Sequence, residues 1–285
     1  MGGISKQFQK NQTMEAGQVM ENTEEDLTEA EIEIRQMYEA YEKAKQEKNP
    51  NADLMLAEYC ERYARCYSDQ DIGIKSVRLY ETFAAKDNAI ALRKLGHYYR
   101  DGQFVKKDAS KGVRCYQRAV ELKDAEAAYF LGKCYEDGEG VEVNYEKAVE
   151  NYQKGAEWGD ADVQAQLGIA YFEGKGILKD YEKAFFWLNQ AFRNDIVWGE
   201  YYLAVCYLNG LGTRMEEGRG FSILEQITQG GLIYKKDEAL QLLINCYEKG
   251  IGTEKNAAKA KELREKVEED KRWFRDAIKL LADDG

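Results

Sequence analysis

Few residues of this chain have the chemistry for catalysis or metal binding: six cysteines and a single histidine, His97. A zinc site draws on several Cys and His ligands at close spacing. One His and no Cys-x-x-Cys do not supply it. His97 as a general base would need a nucleophile or carboxylate held beside it. Acids abound, but spacing singles none out, so His97 reads as a solvent-facing helix residue or a contact to a partner. Gly-x-Gly pairs at Gly138 and Gly140, Gly174 and Gly176, Gly210 and Gly212, and Gly250 and Gly252 suggest phosphate loops. Each follows a helical pattern, however, and none carries a Gly-Lys-Ser/Thr ending, so they read as turn glycines. No catalytic, cofactor-binding or metal-binding residue is expected, and no cofactor. Charged runs such as Glu262 to Arg275 are solvated helix faces.

The elements that position these residues repeat. LGHYYRDGQF from Leu95, LGKCYEDGEG from Leu131, LGIAYFEGKG from Leu167 and LAVCYLNGLG from Leu203 follow at steps of 36 residues. LINCYEKGIG from Leu243 comes after a step of 40, the extra residues falling around Gly230 and Gly231. A degenerate copy, YARCY at Tyr63 to Tyr67, precedes them with a shorter loop. Each copy reads as helix, glycine turn, helix. Ala127, Leu131 and Tyr135 share one face at four-residue spacing, Gly138 closes the helix, and the second helix starts near Asn144. The single Pro among 285 residues favours helices. The expectation is all-α: a right-handed superhelical solenoid of helix-turn-helix repeats with capping helices at both ends.

These motifs resemble the Sel1-like repeat family, a relative of the tetratricopeptide repeats, over about Ala52 to Val267. The second and third full copies match best, through LGKCYEDGEGV with Lys147-Ala148 and LGIAYFEGKGI with Lys183-Ala184. Gln103-Phe104, Gly220 and Ile244 depart from the pattern in the others. The resemblance implies an interaction scaffold and no particular chemistry. Cys66, Cys134, Cys206 and Cys246 fall at one repeat position, exchanged for Tyr98 and Ala170, and read as reduced core thiols. The cysteine-rich branch of the family pairs one Cys on each helix of a repeat. No full copy here has such a pair, so a disulfide framework is not expected.

Four segments follow. Residues 1–22 are polar and aperiodic, a tail expected to be disordered. Residues 23–49 form an amphipathic helix beginning at Thr23, with Leu27, Ala30, Ile34, Met37, Tyr41 and Ala44 as its stripe, either a cap or a docking helix. Residues 50–267 are the solenoid, and 268–285 a closing helix with Trp273, Ala277, Leu280 and Leu281. The formal net charge of −11 argues against general nucleic-acid binding. No apolar stretch is long enough to cross a bilayer, and neither a secretory signal nor a myristoylation pattern opens the chain, since Lys6 fills the Ser/Thr position. A cytoplasmic protein is expected.

In the related tetratricopeptide geometry, first helices line a concave face, with outward positions at −5, −2, +2, +5 and +6 from the motif Leu. Carried over, this assigns to the groove Arg93, His97 and Arg100 in the first full copy, and Tyr129 and Lys133 in the second. Ile169 and Phe172 follow in the third, and Trp198, Tyr201, Val205 and Leu208 in the fourth. The early part is basic and the later part apolar, which would suit a segment acidic at one end and bulky at the other. A non-enzymatic scaffold holding a protein or peptide in this groove is the leading expectation. A subunit self-assembling through its N-terminal helix is the alternative, and a hydrolase of the cysteine-rich type a third.

Overall fold

The computed structural model describes residues 28–229 and 235–269; the tail, Thr23 to Leu27, part of the insertion near Gly230 and the closing helix lie outside them. The chain divides after Asp124 into two compact units. Among the described residues there is no strand. Unit one holds α1 (Glu29–Gln46), α2 (Ala52–Tyr67), α3 (Gln70–Ala84), α4 (Ala89–Asp101) and α5 (Ala109–Glu121). In unit two come α6 (Ala125–Asp137), α7 (Tyr145–Glu157), α8 (Ala161–Glu173), α9 (Tyr181–Arg193), α10 (Glu200–Asn209), α11 (Glu217–Gln229) and α12 (Lys236–Lys249). Residues 257–269 are again helical. Consecutive helices pair as antiparallel hairpins at the step read from the sequence: α2 with α3, α4 with α5, α6 with α7, α8 with α9, α10 with α11.

Local chemistry sets the boundaries. Asn88, Asp108, Asn144, Asp160, Asp180 and Asn256 each accept the backbone N–H three residues on, at 2.8 to 3.0 Å. Such a cap contributes about 1 kcal/mol. At α1 the cap is Thr28, which exchanges hydrogen bonds with Glu31 in a capping box. First helices end at glycines with left-handed φ, Gly102, Gly174, Gly210 and Gly250.

The second glycine of each pair has a separate task. A Cβ at Gly212 would fall on the Tyr181 carbonyl, and one at Gly176 on the Tyr145 carbonyl. These loops therefore rest directly on the start of the preceding second helix. The first full copy has Phe104 at that position, at φ 59°. Its ring fills the space over Gly73 in α3, where a Cβ would overlap it. The bulk has moved from one partner to the other.

Inside the hairpins, the glycine after the motif Leu makes room for the second helix. Gly96 lies against the Tyr116 ring, Gly132 against Tyr152 and Gly168 against Leu188. Each buried tyrosine hydroxyl finds a partner on its first helix: Tyr80 donates to Glu61 at 2.9 Å, Tyr152 to Glu136 at 2.8 Å, and Tyr116 shares a 2.8 Å hydrogen bond with His97 Nδ1. From the third copy onward Leu188 and Leu224 stand there, with no hydroxyl to satisfy. α1 buries Ile34, Tyr41 and Ala44 from its stripe, packing on α2.

Candidate functional site

In unit one, the residues assigned to the groove are engaged within the fold. Arg93 Nε lies 3.1 and 3.2 Å from the two carboxylate oxygens of Asp124, and the side chains are only 14% and 9% exposed. Arg100 holds Asp101 through hydrogen bonds of 2.7 and 3.1 Å. His97 is half-buried; burial first, then the charges of Arg100, Arg93 and Lys94, push its pKa down to about 3 against the pull of Asp101. The expected solvent-facing His97 and open Arg93 are therefore corrected. The +2 position of this hairpin serves the buried Tyr116 hydroxyl, and a neutral imidazole meets that need.

Unit two divides its assigned residues into two groups. Tyr129, Phe172, Trp198, Tyr201 and Val205 are half-buried and reach the surface. Trp198 donates its indole N–H to Asp162 at 2.8 Å, and Phe172 meets Tyr202 edge-on at 5.1 Å. Tyr201 stands edge-on to Tyr202 at 5.3 Å. Lys133 is bound by Glu136 at 3.2 Å and by Asp137 at 3.6 Å.

Ile169 and Leu208, each 6% exposed, are core residues and not surface ones. Ile169 packs with Leu188, where the earlier copies have a tyrosine hydroxyl to satisfy. Leu208 sinks against Gly220, where a Cβ would stand 2.6 Å from its Cγ. The departure of Gly220 from the repeat pattern thus draws Leu208 inward. What stays accessible is an aromatic row with Asp162, Glu126, Asp137 and Glu173 exposed around it. The run from basic to apolar does not survive.

Matches to the Sel1 repeat model cover residues 89–124, 125–160, 161–195, 199–217 and 245–266, just over half of the chain. The chain belongs to the Sel1 repeat family. A protective antigen of uropathogenic Escherichia coli with an SLR fold superposes with a TM-score of 0.67 at 24% identity. The alignment covers 81% of this chain but 48% of the antigen, so the chain spans about half of that protein's length. A Sel1 repeat protein from Oxalobacter formigenes superposes with a TM-score of 0.61 at 26% identity, over 70% of this chain and 80% of that one. No curated protein matches the sequence. The degenerate α2–α3 hairpin lies outside the matched residues yet folds as a repeat.

Three features of this Sel1 array escape sequence reasoning. The first is a cation clamp: the basic residue of the second helix sits over the motif Tyr in every full copy. Lys111 lies 3.8 Å from the Tyr99 ring centre, Lys147 5.5 Å from Tyr135, Lys183 5.3 Å from Tyr171, Arg219 4.5 Å from Tyr207 and Lys259 4.9 Å from Tyr247. The recurring Lys-Ala step signalled it. The second is Glu200, only 4% exposed at the start of α10, whose carboxyl burial pushes up to about 7. Its signal was an acid three residues before the motif Leu, where Leu92, Ala128, Gln164 and Leu240 stand elsewhere. The third is the location of the exposed apolar residues. Val143, Leu178 and Met215 lie on the loops, Phe186 on the second helix α9 and Ile90 on the first helix α4.

Cys134, Cys206 and Cys246 are buried as expected. Burial pushes the Cys206 thiol up to about 12 and raises Cys246. Cys66 is corrected: it is exposed. In the full copies a longer loop joins the two helices, as between Asn209 and Glu217 after Cys206. After Cys66 the chain enters α3 at Gln70 without such a loop. Cys60, 1% exposed, is the core thiol of α2. A cavity of about 100 Å³ in unit two is lined by Glu136, Tyr145, Tyr152, Gln166 and Lys175, and Lys175 and Glu136 form a 2.6 Å ion pair on its wall. Among the described residues, no helix is long and apolar enough to cross a membrane, and no cluster of acids, Cys and His is arranged to hold a metal.

Proposed function

We propose that the chain is a non-enzymatic protein-interaction scaffold that holds a segment of another protein on the first-helix face of unit two, in a reducing, cytoplasmic setting. The carrying observation is the half-buried aromatic row of Tyr129, Phe172, Trp198 and Tyr201. Aromatic side chains fixed by their neighbours and still open on one edge serve as anchors for a partner. Sel1 repeats commonly serve as interaction scaffolds, which supports this reading. His97, committed to Tyr116, offers no argument for hydrolysis. The stripe of α1 packs on α2, which favours a capping role over self-assembly through that helix.

Photo-crosslinking in the native host tests the proposal. A benzophenone amino acid placed at Tyr201 or Trp198 should capture a discrete partner. The same group at Phe186, exposed on the second helix α9, should not. Capture from Phe186 alone would move the binding face to the second helices.

A further inference from the structure

We propose that Glu200 is a proton-operated latch within the aromatic row: neutral, it lets the start of α10 lie closed with Trp198 in place; ionised, it lifts that start and turns Trp198 out into water. This adds regulation to the first-helix face of unit two and rests on the reading of that face as a partner site. Glu200 is the first residue of α10, one before Tyr201 and two after Trp198. It is only 4% exposed, and its carboxyl has no hydrogen bond or ion pair among the described residues. The backbone beside it lies directly on the α8–α9 hairpin. A Cβ at Gly199 would stand 3.1 Å from Leu188 Cδ2 and 3.4 Å from the Ala165 Cβ. Such apolar surroundings tolerate a neutral carboxyl and strongly disfavour an unpaired carboxylate. Burial alone accordingly pushes the Glu200 carboxyl up to about 7.

The charged groups on the surrounding elements are placed elsewhere. On α8, Asp162 accepts the Trp198 indole N–H. Arg193, at the end of α9, acts on Tyr207. On α11, Arg219 lies over the Tyr207 ring and Glu225 accepts the Tyr247 hydroxyl. Before and within α12, Lys235 and Glu238 act on Tyr201 and pair with each other at 2.8 Å. None of these charges shifts Glu200. The connection into α10 is built to move. Residues 194–199 join α9 to α10, a longer link than 158–160 between α7 and α8. Asp160 caps α8, whereas Gly199 gives α10 no side-chain cap. Val197 in this link is 47% exposed. An ionised Glu200 gains water by lifting the uncapped end, and the unpaired N–H groups of the first turn then favour the carboxylate. Trp198 lies in the same link and moves with it, away from Asp162.

The test uses the full chain labelled with fluorotryptophan and followed by fluorine NMR between pH about 5.5 and about 8.5. Trp198→Phe assigns the Trp198 resonance. In the parent, that resonance should titrate with a midpoint of about 7. At the alkaline end it should also gain a larger isotope shift between light and heavy water, the mark of a fluorine entering solvent. Glu200→Gln and Glu200→Leu bring in side chains that other copies carry at this position, as Gln164, Leu92 and Leu240. Both variants should keep the parental helix content by circular dichroism and hold the resonance at its acid position throughout. Trp158, just after α7, should not follow this titration. Absence of the transition in the parent, or its survival in either variant, would overturn the proposal. So would a transition without the added isotope shift, since a static ring would then be sensing the charge. No partner enters the measurement, so each of these results strikes the latch and leaves the aromatic row to the crosslinking experiment.

Discussion

Cys66 and Cys206 hold the same place in their repeats, yet one thiol faces water and the other is sealed in the core. A thiol reacts as its thiolate, so burial suppresses reactivity by denying access and by raising the pKa. Cys206, pushed up to about 12, is inert on both counts, and Cys60, pushed up to about 11, nearly so. A brief pulse of maleimide on the native protein should label Cys66, leave Cys60, Cys134, Cys206 and Cys246 unmodified, and label all of them after denaturation. Peptide mass mapping reads the sites, and labelling of Cys206 at the rate of Cys66 would contradict the assignment. The repeat register made the three core thiols legible. Cys66 was not, because register reports the position on a helix and not whether the next loop covers it. The same limit applies to Arg93 and His97. Position told where they stand on α4, while their partners, Asp124 and Tyr116, came from other elements.

Helix and loop geometry explain why the repeat tolerates some changes and not others. Gly212 and Gly159 both have left-handed φ, 67° and 93°, so any side chain at either meets backbone strain. They differ in surroundings: a Cβ at Gly159 meets nothing within 4 Å, whereas at Gly212 it falls on the Tyr181 carbonyl. Gly159→Ala should therefore cost only the left-handed penalty, about 1 kcal/mol. Gly212→Ala adds displacement of the loop from α9 and should cost about 3 kcal/mol or more. Urea denaturation followed by circular dichroism compares the two, and equal losses would show that the loop does not bear on the helix start. At this scale the sequence was most informative. The aligned Leu-Gly and Gly-x-Gly steps fixed the hairpins, and Asn144 was legible as a cap. The compensation between Phe104 and Gly73 was not, since it joins a loop to a helix in the preceding copy and leaves no periodic trace.

At the scale of the molecule, two ionisable groups, the half-buried His97 and the buried Glu200, are shifted in ways that oppose each other with pH, one in each compact unit. In unit one, His97 falls from 6.5 to about 3, chiefly by burial. The unfolded chain then binds the proton more readily than the folded one. The stabilisation is complete above the unfolded value and is lost as pH falls below 6.5, by about 1 to 2 kcal/mol at pH about 5.5. In unit two, Glu200 rises from 4.5 to about 7 by burial alone, so the folded state keeps the proton longer. Its stabilisation is present below 4.5 and is lost as pH rises toward 7, by about 2 kcal/mol between pH about 5.5 and about 8. Acid thus weakens unit one through His97, and base weakens unit two through Glu200. The tryptophans Trp158, Trp187, Trp198 and Trp273 all fall in unit two, so their fluorescence reports that unit. Glu200→Gln, which cannot charge, should raise the fluorescence-detected denaturation midpoint at pH about 8 and change it much less at pH about 5.5. His97→Gln should stabilise at the acidic pH relative to its effect at the basic one, as read by circular dichroism. An effect of Glu200→Gln independent of pH would show that the Glu200 carboxyl titrates in its ordinary range, and that its burial is relieved by water reaching the start of α10.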